Sequence, residues 1–195
     1  MRLEDATVLA GEVRDLLRPA CSRIEIAGGV RRGKTEPHDI EIVAAPKWGN
    51  IFGYFGDEQT VNMLDSAVIL LLEKGTLTQG DPDKAGKKAP CGPKYYRLKY
   101  RGEKLDLFVV IPPAQWGTVF LIRTGDAEFS HAFVTRLWAY GLKSKDGHIE
   151  DNQGNIQPTP EEIDAFRLCR LPYIEPASRT LQTIESESAP REGTT

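Results

Sequence analysis

Between Asp5 and Leu17 the apolar residues Val8, Leu9, Val13, Leu16 and Leu17 recur at helical spacing, and Pro19 follows as a stop, so the chain opens on an amphipathic helix. Ser22 to Ala27 reads as a strand through Ile24 and Ile26 and runs into Gly28-Gly29; Asp39 to Ala45 is a second strand. Pro46 to Gly56 reads as a loop, and Thr60 to Lys74 has the apolar density of a helix packed on a sheet and closed by Gly75. Gln79 to Pro93, broken by Gly and Pro, is expected to be a mobile basic loop. Tyr95–Tyr100 and Lys104–Ile111 are strand-like, with Arg101-Gly102-Glu103 between them, which predicts a β-hairpin ended by Pro112-Pro113. Helices are predicted at Ala114–Ile122 and Ala127–Tyr140, broken around Thr124-Gly125 and closed by Gly141, followed by a short hairpin through His148-Ile149 and Asn155-Ile156. Thr159 as cap and Pro160 in first position predict a last helix reaching Cys169 or Arg170. Residues 185–195, without a large apolar side chain, are expected to form a disordered tail. The succession predicts an α+β fold with a mixed sheet backed by helices, and Trp48, Trp116 and Trp138 are assigned to the core.

With 195 residues, one domain or two small lobes are expected. A 40% hydrophobic and 27% charged composition excludes a wholly disordered, collagenous or coiled-coil chain. The net charge of −3 means that affinity for nucleic acid must come from a local basic patch. The longest apolar run, Ala67–Leu72, is far short of the roughly 20 residues of a membrane span, and Met1-Arg2-Leu3-Glu4-Asp5 is unlike a secretory signal, so the cytoplasm is the expected location. Cys21, Cys91 and Cys169 form no Cys-x-x-Cys pair and read as reduced thiols. The spacing of His38, His131 and His148 does not suit a metal.

The chemistry concentrates in two strands. Asp39 and Glu41, two apart, project from one strand face while Ile40 and Ile42 take the other. Carboxylates this close repel unless a cation compensates, and hard oxygen donors suit Mg²⁺ or Mn²⁺. Asp106 interrupts the apolar run Leu105, Leu107, Phe108, Val109, Val110; if that strand neighbours the first, three carboxylates can meet around two divalent ions. A solvated sheet face carrying scattered acids would give the same pattern. Upstream, Gly28-Gly29-Val30-Arg31-Arg32-Gly33-Lys34 leaves a strand with backbone donors and guanidinium charge, as a phosphate cradle would, although a tight basic loop would look alike. From Lys84 to Lys104 eight basic residues stand against the single acid Glu103, with Tyr95, Tyr96 and Tyr100 interleaved. Such a stretch can track a phosphate backbone through Lys94, Arg97 and Lys104, with Arg136 extending the track.

Gly28-Gly29-(x)2-Arg32-Gly33, Asp39-x-Glu41 and Asp106 together resemble the nucleotidyltransferase core of the family X DNA polymerases, the DNA polymerase beta group. Thr124-Gly125-Asp126-Ala127-Glu128-Phe129 resembles the family's segment entering the thumb, and Leu171-Pro172-Tyr173-Ile174-Glu175-Pro176 its C-terminal ending. The resemblance implies a nucleotidyltransferase palm over 1–122, a small helical thumb with a short hairpin over 123–184, and the tail. It implies that Asp39, Glu41 and Asp106 are catalytic and hold two metals, Mg²⁺ or Mn²⁺. Gly28, Gly29 and Arg32 would bind the triphosphate, and Thr124, Gly125, Ala127 and Ser130 the nucleotide's sugar and base. The implied reaction adds a dNMP to a primer 3′-hydroxyl and releases pyrophosphate, in gap filling or repair. The implied partners are DNA, primer–template or gapped, and a nucleoside triphosphate, with no membrane and a monomeric enzyme.

The sequence departs from the family pattern at several points. Gly29 stands where the family usually has Ser and Glu41 where it usually has Asp, so slow turnover is expected; Ile122-Arg123 replaces the aromatic pair before Thr-Gly. Ser130 and Val134 replace an Asn and an Arg that read the nascent pair. The family's lyase domain has no counterpart in residues 1–21, so no lyase activity is expected. Two further readings stay open: the same chemistry on an RNA end, a protein or a small molecule, and a catalytically silent nucleic-acid-binding module.

Overall fold

A computed structural model describes residues 1–52, 57–82 and 85–188. The end of the expected Pro46–Gly56 loop, Lys84 of the basic stretch and residues 189–195 of the expected tail lie outside them. The chain divides into two compact units, Met1–Ile111 and Pro112–Thr195. The helix expected at 114–122 falls with the second unit, where Leu121 joins the core.

The first unit is a mixed sheet with helices against it. Its elements are α1 (Leu3–Leu17), β1 (Cys21–Ile26), α2 (Gly28–Arg31), β2 (Ile40–Pro46), β3 (Trp48–Phe52), β4 (Glu58–Asn62), α3 (Met63–Glu73), β5 (Leu77–Gln79), β6 (Cys91–Gly92), β7 (Tyr95–Tyr100) and β8 (Glu103–Val109). The strands run in the order β1-β2-β8-β7-β5, with β6 also on β7. Within this sheet β2 and β8 pair in parallel, and the other pairings are antiparallel. The core gathers Ile40, Ile42 and Ala44 of β2, Leu105 and Leu107 of β8, and Tyr96, Leu98 and Tyr100 of β7 under α1 and α3.

Local chemistry explains most boundaries. Asn62 caps α3 by accepting from Leu64 and Asp65 N–H at 3.0 and 3.1 Å, which starts the helix at Met63, not Thr60. The β7–β8 turn is Arg101-Gly102, with φ of 50° and 86°, as a two-residue hairpin loop with both central residues left-handed requires. On α1 the buried stripe is Ala6, Ala10, Val13 and Leu17, whereas Val8 and Leu16 are exposed. Small alanines let the helix approach closely, so the face differs from the one expected from the largest side chains. Residues 48–52, expected in a loop, pair with β4 instead. Few of the hairpin's side chains are buried, so it leaves no alternation to read. Trp48 and Trp138 are 59% and 67% exposed, and only Trp116 of the three tryptophans is in the interior.

The second unit comprises α4 (Trp116–Thr124), α5 (Ala127–Trp138), an antiparallel sheet β9 (Leu142–Lys145), β10 (His148–Asp151) and β11 (Ile156–Gln157), then α6 (Glu162–Leu168) and α7 (Leu181–Ser188). Its core centres on Phe166, whose ring meets Phe129, Phe133 and Tyr173 edge-on at 6.4, 6.2 and 5.5 Å. Thr159 does not cap α6. Its buried hydroxyl shares a 2.7 Å hydrogen bond with Thr118 and donates to Ala114 C=O, while Glu161 and Asp164 form the capping box. Arg179 is fully buried, donating to Glu162 at 2.6 Å and to Ile174 C=O at 3.0 Å between the Phe166 and Tyr173 rings. Residues 185–188, expected in the tail, are the last turn of α7.

Candidate active site

Parallel pairing of β2 with β8 puts Glu41 opposite Asp106, and antiparallel pairing of β7 with β8 puts Arg97 opposite Asp106 and Lys99 opposite Lys104. Strand alternation sends Leu105 and Leu107 into the core and leaves Lys104, Asp106 and Phe108 on the opposite sheet face. An acid inside an apolar strand is thus tolerated because only one face of β8 packs on the first unit's core.

Asp106 is held on this face. The Tyr95 hydroxyl donates to its Oδ1 at 2.7 Å, and Arg97 Nε donates to the same oxygen at 3.3 Å and to the Tyr95 hydroxyl at 3.1 Å. The Tyr95 ring lies flat on Phe108, with centroids 5.0 Å apart and planes within 9°. Burial, and then the bond to Asp106, push the Tyr95 phenol up to about 12, so it remains a donor at neutral pH. Asp39, immediately before β2, has a carboxyl raised above its usual range, first by burial and then by the charge of Asp106, with His38, Lys104 and Lys34 acting in the opposite direction. Both acids line a cleft of about 290 Å³, together with Arg97, Lys99 and Lys104 and the Gly80-Asp81-Pro82 segment. Asp81 accepts from Lys99 Nζ at 2.6 Å and fixes that wall.

Glu41 takes a different direction. Gly28, with φ +63°, has no Cβ, and the Glu41 carboxylate occupies the space a Cβ would need. Ala27 N–H donates to Glu41 C=O at 2.8 Å, which seats the turn on β2. Among the described residues no three His, Cys, Asp or Glu side chains are gathered to hold a metal ion. The expected three-carboxylate centre is therefore not assembled: Asp39 and Asp106 share the cleft, and Glu41 rests on Gly28. Two hard oxygen donors that repel one another, one of them already carrying a guanidinium counter-charge, nevertheless fit a divalent cation.

Gly28 and Gly29 open the single turn α2 after β1, with Arg32 as its C-cap. Lys34 N–H donates to Gly29 C=O at 2.9 Å, and a Cβ on Gly29 would come within 3.3 Å of Pro37. In the second unit, buried Thr124 ends α4, and Gly125 leads to Asp126, which caps α5 by accepting from Phe129 N–H at 2.7 Å. A Cβ on Gly125 would collide with the Phe129 ring. Ala127 begins α5, and Ser130 donates to Ile122 C=O at 2.8 Å.

Part of the basic stretch is committed within the chain. Arg97 engages Asp106, Lys99 engages Asp81, and Arg101 pairs with Glu12 at 3.1 Å. Lys94 and Lys104 are exposed. Arg136 donates to Cys169 C=O at 2.9 Å and to the Tyr140 hydroxyl at 3.0 Å. The interleaved tyrosines are not a stacking row: Tyr96 and Tyr100 are buried and bonded to Asp65 and Glu12, and Tyr95 lies against Phe108. Sequence reasoning missed the Tyr95–Arg97–Asp106 contact; the register of a two-residue turn at Arg101-Gly102 puts Arg97 opposite Asp106 and Tyr95 opposite Phe108, one step along the same face.

No protein-family model matches the chain. It is 28% identical over 172 residues to DNA polymerase lambda of Rattus norvegicus, in an alignment covering 78% of this chain. The chain spans 28% of the length of that relative. The similarity supports a distant relationship to family X.

Proposed function

We propose that the protein is a metal-dependent DNA nucleotidyltransferase, built on a nucleotidyltransferase palm (the first unit) and a thumb-like second unit. The observation that carries this reading is the convergence of Asp39 and Asp106 in one cleft with Lys104 at its edge. The distant similarity to a DNA polymerase agrees with it. In this reading Asp39 and Asp106 would hold Mg²⁺ or Mn²⁺, and Glu41 would join them on leaving Gly28. The bound cation would supply charge neutralisation at the phosphoryl oxygens.

The chain's own groups do the rest. Gly28, Gly29 and Arg32 grip the β and γ phosphates of the nucleoside triphosphate. Lys104 and Lys94 meet the primer phosphates; Arg97 and Arg136 do so only on leaving their present partners. The primer 3′-oxygen forms a bond to the α-phosphorus as the bond to the bridging oxygen of pyrophosphate breaks, and Asp106 draws off the hydroxyl proton. Arg32 offsets the charge developing on pyrophosphate.

The test is extension of a labelled primer on a recessed template, a one-nucleotide gap and a single strand, with each dNTP and rNTP, in Mg²⁺ and in Mn²⁺. Templated dNMP addition is expected. Addition without template would make the protein a terminal transferase. No addition on any substrate would overturn the reading and favour another acceptor or a silent binding module.

A further inference from the structure

We infer that Arg97 is a built-in counter-ion that occupies Asp106 until a divalent cation displaces it, and that Tyr95 is the positioning residue that keeps Asp106 aimed into the cleft while this exchange occurs. The inference rests on the proposed metal-dependent reading of the same cleft, and it gives Arg97 a role at the acid before any at DNA.

Three observations carry it. Arg97 and Asp106 are register partners on adjacent strands, and the guanidinium reaches Oδ1 through Nε at 3.3 Å. This ion pair is incompletely buried, with 49% of the Arg97 side chain and 17% of the Asp106 side chain exposed, so its hold on Asp106 is weak enough to be exchanged. Arg97 is also placed by its surroundings. Its Cγ lies where Gly80 leaves room, since a Cβ there would come within 2.7 Å of it, and its C=O accepts from Gly80 N–H at 2.9 Å.

Tyr95 plays the other part. Its ring is fixed by Phe108, and its hydroxyl grips Asp106 Oδ1 at 2.7 Å. This bond needs no charge on the phenol, so it survives the departure of Arg97; both contacts fall on Oδ1, so what Arg97 contests is the charge of the carboxylate and not its second oxygen. The two contacts therefore act in opposite senses on cation binding: the guanidinium competes for the carboxylate, and the hydroxyl prepares it.

Mn²⁺ binding to the protein alone, followed by the loss of the free-ion electron paramagnetic resonance signal, separates these roles without reference to turnover. Arg97→Gln is expected to tighten Mn²⁺ binding about fivefold, the scale of a partly exposed ion pair. Arg97→Lys, which keeps the charge, should stay near wild type, and Tyr95→Phe should weaken binding. Gly80→Ala, which displaces Arg97 without changing any charge, should shift binding in the same direction as Arg97→Gln. Weaker or unchanged binding in Arg97→Gln, or equal shifts in Arg97→Gln and Arg97→Lys, would overturn the counter-ion role; unchanged or tighter binding in Tyr95→Phe would overturn the positioning role. If Arg97→Gln does not fold, Gly80→Ala decides by the same criterion. Asp106→Asn distinguishes the two levels: Mn²⁺ binding that ignores this change would remove the metal-site reading itself, whereas binding that depends on Asp106 but not on Arg97 would remove only this inference.

Discussion

Substituting Gly28 by alanine tests the close approach of Glu41 to the Gly28 backbone. Two costs meet at this position. Gly28 has φ +63°, where an L-residue loses about 1–2 kcal/mol. The new methyl would also fall on the Glu41 carboxylate and lie 2.9 Å from Glu41 Cβ, and overpacking of this kind costs about 1–3 kcal/mol. The reduced freedom of the unfolded chain returns about 0.4–1 kcal/mol. A net destabilisation of about 2.5 kcal/mol is expected, read as a lower urea midpoint at unchanged slope. Adding Glu41→Ala removes the carboxylate but not the backbone conformation. The double variant should therefore recover about half of the loss, as a coupling energy in the double-mutant cycle. A Gly28→Ala protein within about 0.5 kcal/mol of wild type, or a cycle without coupling, would show that Glu41 does not rest on Gly28.

Further outcomes follow from the same contacts. Asp39→Asn should stabilise the protein at neutral pH in chelated buffer, because burial and Asp106 raise this carboxyl and penalise its charged form. Such a group favours folding more as the pH falls from its raised value towards 3.8, so the advantage of the Asp39→Asn variant over wild type should shrink through that window and be absent below it; an advantage independent of pH would contradict the cause. Arg179→Ala removes the buried guanidinium that neutralises Glu162 in the second core and should cost about 3–5 kcal/mol by chemical denaturation, whereas Arg179→Met with Glu162→Leu should restore most of it; a mild loss in the single variant would mean that the pair is not the anchor of this segment.

Particular residues show how far the sequence could be read. The strands of the mixed sheet were legible because β1, β2, β7 and β8 carry β-branched, aromatic or alternating apolar residues, and because Asp39, Glu41 and Asp106 break that pattern on one face. The β3–β4 hairpin was not legible: with few of its side chains buried, no selective pattern marks it. Thr159-Pro160 imitates a helix start, but the Thr159 hydroxyl is engaged by Thr118, a partner 41 residues away that no local rule anticipates. The destination of Glu41 was hidden for a related reason. Alternation fixes the face from which a side chain leaves, not where a long carboxylate ends, and that depends on the empty space at Gly28. The Tyr95–Arg97–Asp106 contact was within reach. With Arg101-Gly102 as the whole turn, Tyr100 faces Glu103, and stepping outward brings Arg97 opposite Asp106.

The most direct test of the central claim is templated primer extension by the wild type beside Asp39→Asn and Asp106→Asn, with primer–template binding followed in the same samples. Loss of incorporation in both variants at undiminished DNA binding is expected, at least a hundredfold for each, about 2.7 kcal/mol of transition-state stabilisation. Wild-type incorporation rates in either variant would contradict the assignment of the Asp39–Asp106 cleft as the catalytic centre.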